Sequence, residues 1–186
     1  MPLLKNGQFI DDLWFEVEAL DHVPADTPLL VSLEQWRQHR DALSQRVVPL
    51  GLRLANDQSP ELVAEDLRHF TLIALDFPKF TDGRSYSYAR ILRERYGFED
   101  EVRATGNILR DQLALLQRCG FDAFVVPDRA ESEGWVAAFT EISVIFQPAA
   151  DTYSSRREAV RQRPERTRAR ALRIISSDTV AARWAY

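Results

Sequence analysis

Residues 72–86 read Leu72-Ile73-Ala74-Leu75-Asp76-Phe77-Pro78-Lys79-Phe80-Thr81-Asp82-Gly83-Arg84-Ser85-Tyr86. An apolar run empties into a charged, glycine-containing loop, and Ser87 to Tyr96 then follows a helical pattern. In α/β proteins a strand, loop and helix of this kind is where ligands are held. The unbroken apolarity of the run predicts burial on both faces, as in a parallel sheet. In the loop, Lys79, Asp82 and Arg84 supply charge, Gly83 allows a tight turn, and Ser85 can cap the helix.

The same alternation extends in both directions. Upstream, Leu29 to Leu33 is strand-like, Glu34 to Leu43 is helical from a start at or just after Ser32, and Val47 to Leu54 alternates as a strand. Ser59-Pro60-Glu61 is a helix start, with Ser59 as cap and Pro60 first in the helix, which buries Leu62, Val63 and Leu67. Downstream, Glu101 to Thr105 and Ala123 to Val126 are strands. Between them Asn107 can cap a helix carrying Leu109, Leu113 and Leu116. Trp135 to Phe139 is helical and Ile142 to Phe146 a last strand. Two helix ends match, Tyr96-Gly97-Phe98 and Cys119-Gly120-Phe121. In each, glycine takes the left-handed position after the last turn and the following Phe packs back on the helix.

Alternating strands and helices define an α/β fold with a mostly parallel sheet of about five or six strands. A closed eight-stranded barrel takes roughly 250 residues, so an open sheet or an incomplete barrel is expected. Lys5-Asn6-Gly7 and the apolar residues of 8–20 predict a short N-terminal hairpin or strand pair. Residues 1–150 form one α/β domain. Residues 151–186 form a basic, partly disordered or loosely helical tail, with nine arginines against four acids. This leaves the first 150 residues at −9 within an overall charge of −4.

Several function classes drop out. No apolar run approaches the roughly 18 residues of a membrane span. Met1 to Gly7 lacks the core of a secretory signal, so a cytoplasmic location is expected. One cysteine, Cys119, and three scattered histidines leave no metal site. Neither the dinucleotide glycine fingerprint nor a phosphate-binding P-loop is present, so NAD, flavin, haem and iron–sulfur clusters have no signature here. The tail has no nucleic-acid motif and adjoins an acidic domain, so self-association or solvation is the expected reading.

The candidate site lies at the strand carboxyl ends. One loop offers Lys79, Thr81, Asp82, Gly83, Arg84, Ser85 and Tyr86, and the next offers Thr105, Asn107, Arg110 and Asp111. If the two strands are neighbours, both loops and two helix N-termini face one crevice suited to a small oxyanion. The structural alternative is that Asp82–Arg84 and Arg110–Asp111 are ion pairs fixing the loops, with Arg90, Arg93 and Arg95 on a solvated helix face. Asp76 and Asp82 are the weak candidates for a catalytic acid or base. Asp76 can equally accept hydrogen bonds from Thr81 or the 79–85 amides.

The run from Ala74 to Ser87 resembles a bacterial family of unknown function. So do Leu92 to Phe98, Arg103 to Gln112 and Arg118 to Phe124. The likeness spans roughly residues 45–150. Members are described as oxidoreductases of assimilatory sulfite reduction, so the resemblance implies sulfite reductase or its electron donor as a partner. It brings no catalytic residues and no cofactor. Three functions follow as expectations: an oxidoreductase or accessory protein of sulfite reduction, a stand-alone α/β enzyme on a small anion, and a non-catalytic binding module using the tail.

Overall fold

Asn6 and Gly7 both take positive φ, 52° and 72°, as a two-residue type I′ turn requires. In this computed structural model, which describes residues 2–17, 26–127 and 132–141, the turn joins β1 (Leu3–Lys5) to β2 (Gln8–Ile10) as an antiparallel pair. The expected hairpin therefore forms, with its first arm before the turn rather than within 8–20. The described residues belong to one unit, Met1–Ser143 with Ala149–Asp151. The expected strand 142–146 and the basic tail lie outside the described residues.

Next come β3 (Phe15–Glu16), β4 (Leu29–Ser32) and α1 (Leu33–Ser44). Ser32 caps α1 in a reciprocal box with Gln35. After β5 (Leu50–Leu54), Ser59 and Pro60 open the expected helix, but it is a 3-10 segment, Pro60–His69, and Leu62 stays half exposed. The strand of the opening stretch is β6 (Leu72–Phe77). Its helix, α2 (Arg84–Arg90), starts earlier than the pattern suggested and continues as a π turn, Ile91–Arg95. Then follow β7 (Glu101–Gly106), a 3-10 turn Arg110–Gln112, α3 (Leu113–Arg118), β8 (Ala123–Val125) and α4 (Ser132–Ala137). Gly97 and Gly120 hold φ of 61° and 107°, and the amides of Phe98 and Phe121 bond back to Leu92 and Leu116. Both glycine caps are therefore as read.

The sheet has eight strands, more than the five or six expected, in the order β2-β1-β8-β7-β6-β5-β4-β3. From β3 to β8 all pairs are parallel and in chain order. Right-handed crossovers that advance the same way place helices on one face. Strand order never reverses, so there is no topological switch point.

Connectivity forces the sheet to curl. Seven inter-strand steps of about 4.8 Å would place β2 and β3 about 34 Å apart in a flat sheet. Only residues 11–14 join those two edge strands, and Ile10 to Phe15 can reach at most about 18 Å. The sheet is thus an incomplete barrel, and residues 11–14 cross its concave side as a strap.

The outer face packs on the helices. Val31, Leu52, Ile73, Leu75, Phe77, Val102 and Phe124 form one cluster with Trp36, Leu92, Leu113 and Leu116. On the inner face, Leu30, Leu72 and Ala74 lie beneath Trp14 of the strap. β6 is buried on both sides, as its apolarity predicted, but the inner cover is the strap rather than a second helix layer. Gly51 makes room for it, since a Cβ there would stand 3.0 Å from the Trp14 ring.

Candidate functional site

β6 and β7 are parallel neighbours in register from Leu72↔Glu101 to Phe77↔Gly106, so the two sequence-predicted loops do share one edge. Side chains stitch them together. Asn107 donates to the Pro78 carbonyl at 2.8 Å, and Gln112 to the Phe80 carbonyl at 2.9 Å. The Asn107 amide nitrogen of the main chain donates to Phe77 O at 2.7 Å. Asn56, after β5, donates to Asp82 at 2.6 Å. Three successive loops are therefore one structure. Gly106 permits their approach: its φ is 88°, and a Cβ would lie 2.5 Å from the Phe77 oxygen.

The charges of this edge turn mostly inward. Asp82 accepts from the main-chain and side-chain nitrogens of Arg84. The Arg84 hydrogen bonds, then Asn56, hold its pKa far below the usual carboxylate range. The Asp82–Arg84 pair of the structural alternative is real. The Arg110–Asp111 pair is not: Arg110 reaches α4 instead, donating to Gly134 O at 2.6 Å and pairing with Glu141, while Asp111 is exposed. Ser85 does not cap α2. It is buried and donates to the Asp76 carbonyl at 2.8 Å, and Gly83 is the cap residue. Gly83 has φ −86°, open to any residue, so its expected special turn is absent. Asn107 does not cap the next helix, where Gln112 accepts from the Leu109 amide. The Arg84 amide that opens α2 donates to Asp82, and the Leu109 amide just before the 3-10 turn donates to Gln112.

Tyr86 packs edge-on against Phe77, with centroids 5.4 Å apart. Burial, then the nearby Cys119 and Asp111, pushes its phenol up to about 12. What points outward is different: Lys79, Phe80 (51% exposed), Thr81 and Leu109 (41%). Arg93 also departs from expectation. It is no solvated residue, but donates to Gly120 O at 2.9 Å and Asp100 O at 2.7 Å and pairs with Asp122, tying two helix-to-strand turns together.

A second constellation, on the concave face, escaped the sequence reading. In parallel pairing, opposed residues share a face. One register row therefore holds Arg53, Ala74, Arg103, Ala123 and Lys5. The next row toward the carboxyl edge holds Asp76 and Thr105. Asp76 accepts from Arg53 at 3.2 Å and Thr105 at 3.1 Å, not from Thr81 or the 79–85 amides. Arg103 is 2% exposed and bonds Glu101 and, from the strap, Asp12, each at 2.8 Å. Arg53 bonds Glu16 at 2.6 Å, and Lys5 bonds Glu101 at 2.6 Å. A signal was available: Arg53 in Leu-Gly-Leu-Arg-Leu and Arg103 in Glu-Val-Arg-Ala-Thr each put a cation on the strand face opposite the flanking apolar residues.

Elsewhere, a groove of about 440 Å³ lies on the helical side, lined by Trp36, Arg40, Leu62 and Asp66 among others. Two of its charges engage each other: Arg40 pairs with Asp66, which also accepts from Trp36 Nε1 at 2.9 Å. Among the described residues no group of three His, Cys, Asp or Glu side chains could hold a metal ion, and no helix is long and apolar enough to cross a membrane.

Fold and surfaces together define an incomplete β/α barrel with a stitched carboxyl edge and a charged concave face. The chain belongs to a family of bacterial proteins of unknown function (DUF934), whose model matches residues 51–156. That span contains both edge loops, Arg53 and Arg103. No curated protein matches the chain.

Proposed function

We propose that this protein is an accessory of assimilatory sulfite reduction that docks on sulfite reductase or its electron donor through the carboxyl edge. The observation that carries the reading is the stitching of three loops into one rigid surface that leaves Lys79, Phe80 and Leu109 facing out. An exposed aromatic on a fixed backbone, beside a cation, suits a protein contact, because little entropy is lost on ordering it. The same features speak against acid–base chemistry at this edge. A general acid or base works best with a pKa near the operating pH, whereas Arg84 and Asn56 hold Asp82 far below it. The sulfite part rests on the resemblance of the motif run around residues 74–124.

Immobilised assimilatory sulfite reductase, probed with wild type and a Lys79→Glu/Phe80→Ser variant, tests the reading. Wild type should bind and the variant should bind at least about tenfold more weakly, with unchanged thermal unfolding. Absence of wild-type binding, or equal binding by both, overturns it. A flavin absorbance spectrum in the purified protein would move the assignment to an oxidoreductase.

A further inference from the structure

The concave face has the makings of an anion site with its ligand's place held by the chain itself. Arg53 on β5 and Arg103 on β7 sit in one register row, separated by the small Ala74. Their strands are two steps apart, about 10 Å, a span that two arginine side chains can close upon. Each is met by a carboxylate of β6 or β7, Asp76 or Glu101, and by a carboxylate of the edge strand β3 or of the strap before it, Glu16 or Asp12. Lys5 adds a third cation on the same row through Glu101.

Strands β1, β5, β6 and β7 therefore carry three cations and two carboxylates on this face. Asp12 of the strap and Glu16 of β3 reverse that balance from +1 to −1. Taking them away leaves two guanidinium groups, one of them almost fully buried, with half their partners gone. Buried or half-buried charges are costly when left unpaired, so the row needs an anion, internal or external.

The strap is lightly held. Leu13 is 75% and Phe15 49% exposed, and β3 comprises two residues. Its anchors are the two ion pairs, Trp14 over Gly51, and the short bridge to β4. Such segments open at low free energy. The Arg53 end is already accessible: the Arg53 and Glu16 side chains are 39% and 54% exposed, against 2% for Arg103.

We propose that the concave face binds a small dianion between Arg53 and Arg103, and that Asp12 and Glu16 occupy its position in the unliganded protein. The ligand enters at Arg53, displaces Glu16 and then Asp12, and leaves Trp14 and the bridge to β4 as the remaining holds on the strap. This site is separate from the carboxyl-edge contact and does not depend on it.

Calorimetric titration of the full chain with sodium sulfate, sodium phosphate and sodium succinate tests the proposal, with sodium chloride at matched ionic strength as control. The first two are single-centre dianions and the third a two-ended one. Three proteins are compared: wild type, Asp12→Asn/Glu16→Gln, and the same pair with Arg53→Gln. All changed side chains are partly exposed, and thermal unfolding establishes that each variant folds. At least one dianion should bind the double variant about tenfold tighter than wild type, because two competing ion pairs are gone. Arg53→Gln should abolish that gain. Equal binding to all three proteins, or binding no stronger than chloride, overturns the proposal.

Discussion

Gly106 is where the carboxyl edge depends on a single missing methylene. Its φ of 88° is strained for any side chain, and a Cβ would stand 2.5 Å from the Phe77 oxygen and 3.0 Å from Asp76 Oδ1. Gly106→Ala should cost about 1–3 kcal/mol in urea unfolding. Arg93 is a comparable point on the opposite edge, where one guanidinium serves turns from both π-turn and α3 ends. Arg93→Ala leaves carbonyls and Asp122 short of donors and should cost about 2 kcal/mol or more. Tyr86 sets an alkaline limit. Its folded pKa is raised from 10.0 to about 12, so the native state holds the phenol proton more tightly than the unfolded chain does. The associated stability is complete below pH 10 and is lost as pH rises toward 12. Denaturation midpoints measured across that window should fall more steeply for wild type than for Tyr86→Phe.

At the scale of elements, the strap and β5 are coupled through Gly51. A Cβ there meets Trp14 at 3.0 Å and Leu30 and Leu72 at 3.1 Å. Gly51→Ala should destabilise by about 1–3 kcal/mol, and by less in a Trp14→Ala background, the double-mutant cycle isolating the Trp14 share from that of Leu30 and Leu72. Elements marked by local chemistry were legible in the sequence. Ser32, Ser59-Pro60, the Asn6-Gly7 turn and the two Gly-Phe caps all signal within a few residues of the backbone they shape. The strap was not legible, because Asp12 finds Arg103 at a sequence separation of 91. The pairing of β6 with β7 meets the condition for the two edge loops to lie side by side, but Arg110 and Ser85 were assigned to the crevice when their partners lie in α4 and β6. Nothing within the loop sequence distinguishes a cation aimed at a ligand from one aimed at a distant carbonyl.

At the scale of the whole molecule, curvature is a length constraint. Deleting two of residues 11–14 would cut their reach to about 11 Å. The hairpin or β3 should then detach, seen as loss of amide-exchange protection at β1 or β4. Inserting Gly-Ser at the same place should cost under about 1 kcal/mol, because lengthening a loop carries a weak entropic penalty. A flat sheet would respond to neither change in this way.

The hairpin that begins the chain also has its partner strand late in it: Leu3 pairs with Val125 and Lys5 with Ala123. At roughly 5–20 residues per second of synthesis, β1 waits roughly 6–24 s for β8 to be made. β4 to β8, by contrast, each pair with the strand completed just before. On the ribosome the sheet can therefore grow strand by strand, while Leu3 and Leu4, both buried in the finished protein, remain uncovered until the end. Docking of the N-terminal hairpin on β8 is the step that covers these two leucines.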